Sequence, residues 1–239
     1  MKETRTNKNT RRVKKIIFQQ ACLFFFQPQR MRKNFQKSTS RIFDNKNISV
    51  EIEGIENLAP NKSYIFAANH PPQSNIYKCF GYKPHYYMFF FEYIINKYLK
   101  NEVHSITRYP RIRLLSFILK KNKYIVLPRK KNDAKMKQEL NQSVAKYIAQ
   151  GDSILIFPEG CEQFGNTLHP FQKGLYHLSM HTETPIIPVH MKGFDEPYTN
   201  IKFVFGAPEM PNKNQSAGEY VSSLRERVFR DQFKMELIE

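Results

Sequence analysis

Residues 123–157 hold a strand, a helix and a second strand in immediate succession. Lys123-Tyr124-Ile125-Val126-Leu127-Pro128 is a short apolar run closed by proline. Ser153-Ile154-Leu155-Ile156-Phe157 is another. Between them, Asn132-Asp133 opens a helix whose apolar positions Ala134, Met136, Leu140, Val144, Tyr147 and Ile148 keep broadly to one face, and Gly151 stops it. Two strands joined by a crossover helix run parallel in one sheet, because the helix carries the chain back to the starting edge. The rest of the chain extends this alternation. Ile48 to Gly54 alternates like a half-buried strand, Pro60-Asn61-Lys62 is a turn, and Tyr64-Ile65-Phe66-Ala67-Ala68 is a buried strand. Gly174 opens a helix through Leu175, Leu178 and Ser179. Pro185 to His190 and Ile201 to Phe205 are further strands, and Ala217 to Phe233 is a closing amphipathic helix. Arg111 to Leu119 has a helical pattern, while Tyr86 to Phe91 suits either a buried strand or the first turn of an aromatic helix reaching Tyr98. The expectation is an α/β fold: a mostly parallel central sheet covered by helices, formed by residues 47–239. Residues 1–46 form a basic, partly helical N-terminal appendage.

Charge is concentrated in that appendage. The chain carries a net charge of +17 with a pI near 9.7, and residues 1–46 hold 13 Lys/Arg against two Asp/Glu. A balance of this kind calls for an anionic partner. No run reaches the roughly 20 apolar residues needed to span a bilayer. Ile16 to Phe26 is aromatic-rich, interrupted by Gln19 and Gln20, and flanked by Arg11, Arg12, Lys14 and Lys15 before it and Arg30, Arg32 and Lys33 after it. This pattern suits a helix lying in the interface of an anionic membrane. Peripheral attachment at a cytoplasmic membrane face is therefore expected. Nucleic acid is not, because no reading motif accompanies the basic arm. Three cysteines without paired spacing predict neither disulfides nor a metal site.

Two strand ends carry chemistry. The first is Asn69-His70-Pro71-Pro72-Gln73-Ser74-Asn75, where two prolines force the backbone to turn directly after a histidine. The second is Ile156-Phe157-Pro158-Glu159-Gly160, which delivers a carboxylate and a glycine. In open α/β sheets, ligands bind outside the carboxyl ends of strands. A cationic group, Arg129-Lys130-Lys131, precedes the helix at 132; cations are disfavoured at a helix N-terminus, which suggests an anion between them.

The order of these motifs resembles the glycerolipid acyltransferases typified by 1-acylglycerol-3-phosphate acyltransferase, over roughly residues 48–233. The family's His followed by four residues and an Asp is matched by His70 and Asn75. Its strand ending in Arg is matched by Ile125 to Arg129, and its Phe-Pro-Glu-Gly-Thr-Arg by Phe157-Pro158-Glu159-Gly160, then broken at Cys161-Glu162. Its later Lys-Gly is Lys173-Gly174. The resemblance implies that His70 removes the proton from an acceptor hydroxyl attacking an acyl thioester, then protonates the leaving thiol. Asn75 and Glu159 complete the catalytic set. Arg129, Lys130 and Lys131 would hold the acceptor's phosphate, Gly160 would let the backbone approach closely, and Lys173 would either contact phosphate or solvate its helix start. Glu159 would bond an acceptor hydroxyl or brace the site. The implied donor is acyl-CoA or acyl carrier protein, used as substrate with no resident cofactor. The implied acceptor is a lysophospholipid such as 1-acylglycerol-3-phosphate.

Two departures open alternatives. Asn75 can orient the histidine but cannot supply charge, and no acidic residue occurs from Pro71 to Phe91. Glu162 stands where the family has a phosphate-binding Arg. These fit an enzyme acting on another lipid, such as an amino-acid lipid or glycolipid, or a catalytically weakened relative that binds membrane or acyl carrier.

Overall fold

The computed structural model describes residues 49–71, 86–108, 124–127, 133–160, 167–194 and 200–238. The appendage 1–46, the helix expected over Arg111–Leu119, and Asn75, Arg129, Lys130, Lys131, Cys161 and Glu162 lie outside the described residues.

The elements are β1 (Ser49–Glu53), β2 (Ile65–Ala68), α1 (Tyr86–Leu99), β3 (Val103–Arg108), β4 (Ile125–Leu127), α2 (Asp133–Ala149), β5 (Ser153–Ile156) and β6 (Thr167–Leu168). They continue with α3 (Gly174–Thr182), β7 (Ile186–Lys192), β8 (Asn200–Phe205), α4 (Ala217–Leu224) and β9 (Glu236–Leu237). Seven strands form the central sheet in the order β1-β8-β7-β2-β5-β3-β4. β7, β2, β5, β3 and β4 all run parallel. β8 pairs antiparallel with β7, and β1 runs parallel to β8. The fold is α/β with a mostly parallel sheet.

β2 lies at the centre, and its four residues are fully buried because helices cover both faces. Phe66 and Ala68 pack with Leu155, Ile187, Val189 and the buried stripe of α1, Tyr87, Phe90, Phe91, Ile94 and Ile95. That stripe follows helical spacing and settles the ambiguous Tyr86–Phe91 run as helix. Ile65 and Ala67 face the opposite layer, where Val144 of α2, Leu175 and Leu178 of α3, and Val221 and Leu224 of α4 pack. Ser216 and Glu219 cap α4 reciprocally, Ser216 Oγ accepting from the Glu219 N–H and Glu219 Oε2 accepting from the Ser216 N–H. The closing helix is not uniform: after Leu224 it widens into a π-helix over Arg225–Gln232.

β3 was not apparent as a strand in the sequence. Its pattern, Val-His-Ser-Ile-Thr-Arg, is neither an apolar run nor a clean alternation, yet it pairs on both sides, with β5 and β4.

Candidate active site

The carboxyl end of β2 is fixed by the residue before the histidine. Asn69 Nδ2 donates to the Met191 carbonyl at 3.0 Å, and Asn69 Oδ1 accepts from the Met191 N–H at 2.7 Å. The Asn69 N–H also donates to Val189 O at 3.3 Å. This buried side chain thus continues the ladder to β7 by one residue past the end of β2, and it sets where His70 emerges. Pro71 follows, so the ladder stops there.

Glu159 comes from the neighbouring strand end. Phe157 to Gly160 is a β-turn closed by the Gly160 N–H donating to Phe157 O at 3.0 Å, with Pro158 in the position that favours its fixed φ. Gly160 has φ of 68°, in the left-handed region that a glycine enters at no steric cost. The turn aims Glu159 inward, where it is 3% exposed. Its Oε1 accepts the His70 backbone N–H at 3.1 Å, and its Oε2 accepts the His169 backbone N–H at 3.0 Å. Glu159 therefore braces the site: one carboxylate ties the segment after β2 to the segment after β6. Arg225 anchors the second of these by donating to Leu168 O at 2.7 Å. Burial lowers the Arg225 pKa, and the charge of Glu159 opposes that shift.

The His70 ring is 8% exposed and lies among aromatic rings. Phe157 is tilted against it at 4.9 Å between centroids, and Tyr87 of α1 meets it edge-on at 5.4 Å. The Tyr87 hydroxyl oxygen is 3.1 Å from His70 Nδ1 and 2.9 Å from Nε2. Sequence reasoning missed this residue. Tyr87 stood in an aromatic run that suited a buried strand or a helix start, and its ring does lie in the core; only the fold shows where its hydroxyl ends.

His70, Glu159 and Gly160 thus come together at one end of the sheet. Lys173 is exposed at the start of α3, its tip passing over Gly218 of α4, with no hydrogen bond or ion pair to His70 or Glu159. β4 ends at Leu127 on the same edge as β2, three strand spacings away, or about 14 Å. Arg129, Lys130 and Lys131 follow that end in sequence.

Another group of potential ligands lies at the other end of the sheet. Glu102, His104 and Asp152 each bring one ligand atom within 4.8 Å of the others. His104 Nε2 and Asp152 Oδ2 are 2.8 Å apart, a hydrogen-bond distance; a tetrahedral metal holds its ligands farther apart, at about 3.4 Å. As placed, His104 and Asp152 are a hydrogen-bonded pair.

A sequence profile of the family described as Acyltransferase matches residues 88–192, a stretch that holds Arg129, Glu159, Gly160 and Lys173 and begins after His70. The chain is 30% identical over 61 residues to 1-acyl-sn-glycerol-3-phosphate acyltransferase alpha of Mus musculus, and 32% identical over 62 residues to the 1-acyl-sn-glycerol-3-phosphate acyltransferase of Limnanthes douglasii. Over these stretches the chain is similar to acyltransferases. The matched stretches are 26% of this chain in both comparisons, and 21% and 22% of the two relatives. The fold is also similar to that of the 1-acyl-sn-glycerophosphate acyltransferase PlsC from Thermotoga maritima. The TM-score is 0.60 over 97% of this chain and 98% of the other, at 15% identity.

Proposed function

We propose that this protein transfers a fatty acyl chain from a coenzyme A or acyl carrier protein thioester to the hydroxyl of a lysophospholipid such as 1-acylglycerol-3-phosphate. The observation that carries this reading is the placement of His70. It stands just past the carboxyl end of the central strand, held by the carboxylate of Glu159 through its backbone N–H and packed at its ring against Tyr87. A general base needs this combination of fixed position and burial with a little exposure.

In the proposed mechanism, an imidazole nitrogen of His70 takes the proton of the acceptor hydroxyl as its oxygen attacks the thioester carbonyl. The tetrahedral intermediate collapses, the C–S bond breaks, and the imidazolium returns the proton to the thiolate. The products are an ester and a free thiol. The thioester is already activated, so no covalent acyl-enzyme is required. Glu159 acts by holding the His70 backbone in place. Asn75 orients the imidazole. Arg129, Lys130 and Lys131 bind the acceptor phosphate as charge-assisted partners, with Lys173 contributing from the start of α3. Gly160 keeps the turn beside the reacting groups narrow.

The basic segment 1–46 holds the enzyme at an anionic membrane surface, where lysolipid resides. Among the described residues no helix is long and apolar enough to cross a membrane, which is compatible with peripheral attachment. Glu162, where the family has an Arg, favours testing other lipid acceptors beside lysophosphatidate.

The test is thiol release from acyl-CoA and from acyl carrier protein, with lysophosphatidate, an amino-acid lipid and a glycolipid as acceptors. Release that requires lysophosphatidate and disappears in His70→Ala is the expected result. Release with another lipid alone would transfer the activity to that acceptor. Absence of release with every pair would leave a membrane- or carrier-binding protein.

A further inference from the structure

We propose that His177 and His181 form a surface chelate on α3 for one divalent transition-metal ion of the Ni²⁺, Cu²⁺ and Zn²⁺ class. The site is separate from the acyl-transfer centre and does not depend on that reading.

α3 reads Gly-Leu-Tyr-His-Leu-Ser-Met-His-Thr, so its two histidines stand four residues apart inside one helix. That spacing puts their Cβ atoms about 5–6 Å apart, one turn above the other on a single face. It is the spacing at which two imidazoles of a helix share one metal ion. Leu175, Leu178 and Ser179 are buried on the opposite side of α3, which leaves both histidines exposed. Among the described residues neither imidazole is hydrogen-bonded or ion-paired, and His177 meets only the Tyr176 ring, edge-on at 5.5 Å. Both rings are therefore free to turn toward one ion without breaking another bond.

The backbone beneath the pair is held still. His181 lies in the last turn, where helices fray, but this end is tied by three hydrogen bonds. The Glu183 N–H donates to Ser179 O, Thr182 Oγ1 donates to Leu178 O at 2.8 Å, and Ser179 Oγ donates to Thr184 O at 2.7 Å. A cation at this end also meets the partial negative charge of a helix C-terminus. Lys173 stands one turn before His177, but its tip passes over Gly218 of α4 instead of lying along α3. Imidazole ligands select borderline transition metals, whereas Mg²⁺ takes oxygen, and two protein ligands leave the remaining positions to water. The group around His104 is a poorer host, because His104 is fully buried and already bonded to Asp152.

The test titrates Ni²⁺ into the untagged full chain carrying 15N-labelled histidine, with Mg²⁺ as the control. The earliest and strongest paramagnetic broadening should fall on two signals together, those lost in His177→Ala and in His181→Ala. In calorimetry each single variant should bind Ni²⁺ about 10–100-fold more weakly than wild type, because the second bond of a chelate forms at high effective concentration. The double variant should be little weaker than either single one. Broadening of only one of the two signals, or strongest broadening at His104, would overturn the proposal. So would an equal response to Mg²⁺, or a single variant that binds as tightly as wild type.

Discussion

Two buried histidines stand at opposite ends of the same parallel sheet, and their partners differ. His104 is the second residue of β3, lies 2.8 Å from a carboxylate oxygen of Asp152, and stacks on Tyr147 of α2 with ring centroids 3.6 Å apart. His70 follows β2, packs its ring against a phenol, and rests on the carboxylate of Glu159 only through its backbone. By residue type, His104 with Asp152 is the better catalytic dyad. It is nevertheless at the amino ends of the strands and fully buried. Its bonds tie the loop after α2 to β3, which is structural work. The comparison teaches that a histidine's position relative to the strand ends says more about its role than the residue paired with it.

The largest effect that would sharpen this contrast is a gain. In the proposed mechanism Asn75 is the partner that orients His70, so Asn75→Asp should supply a carboxylate like the one His104 has, and kcat should rise. The Ser-His-Asp triad, in which exchanging Asp for Asn costs about 10⁴ in kcat, sets the upper bound. A fall in kcat measured with saturating acceptor would mean the site is built around the amide. Glu159→Gln tests the brace. Its amide can accept only one of the two backbone N–H donors with its oxygen, and it turns its NH₂ toward the other. Urea unfolding should show a loss of about 2–3 kcal/mol, with turnover reduced as His70 loses its anchor. Unchanged stability would show that the two N–H groups find other partners.

A third histidine sharpens the account at lower amplitude. His190 of β7 is buried and stacked on Phe233, and its Nε2 has no hydrogen-bond partner among the described residues. Burial first, then Lys192 and Lys202, lower its pKa to about 4 from the ordinary 6.5. The unfolded chain therefore binds the extra proton between these values. The contribution of neutral His190 to stability is complete above pH 6.5 and is lost as pH falls toward 4, by at most about 3 kcal/mol. His190→Leu should flatten the fall in urea midpoint between pH 7 and pH 4.5, and an identical slope in the two proteins would remove His190 as its cause.

Much of this arrangement was legible in the residues. Tyr64 to Ala68, Ser153 to Phe157 and Pro185 to His190 are continuous apolar runs ended by turn residues, and the crossover helix before Gly151 has a one-sided pattern. Burial on both faces of a parallel sheet produces such runs, so the alternation of elements gave away the fold. β3 stayed hidden because His104 and Ser105 are buried polar residues inside it, and the Asp152 that pairs with His104 is distant in sequence. The π-helical end of the closing helix was equally unreadable, since side-chain periodicity does not report a widened turn. At the site, His70 and Glu159 could be named from turn chemistry and motif order. Tyr87 could not: a tyrosine in an aromatic run looks like core until α1 is docked on β2.

The most direct test sets the two histidines side by side. His70→Gln and His104→Gln should be compared in acceptor-dependent thiol release and in thermal unfolding. His70→Gln should lose about 10²–10⁴-fold in kcat with its Tm nearly unchanged, as expected for a general base. His104→Gln should keep its kcat at low temperature while losing about 3 kcal/mol of stability with its carboxylate partner. The reverse pattern, with turnover lost in His104→Gln and retained in His70→Gln, would contradict the account.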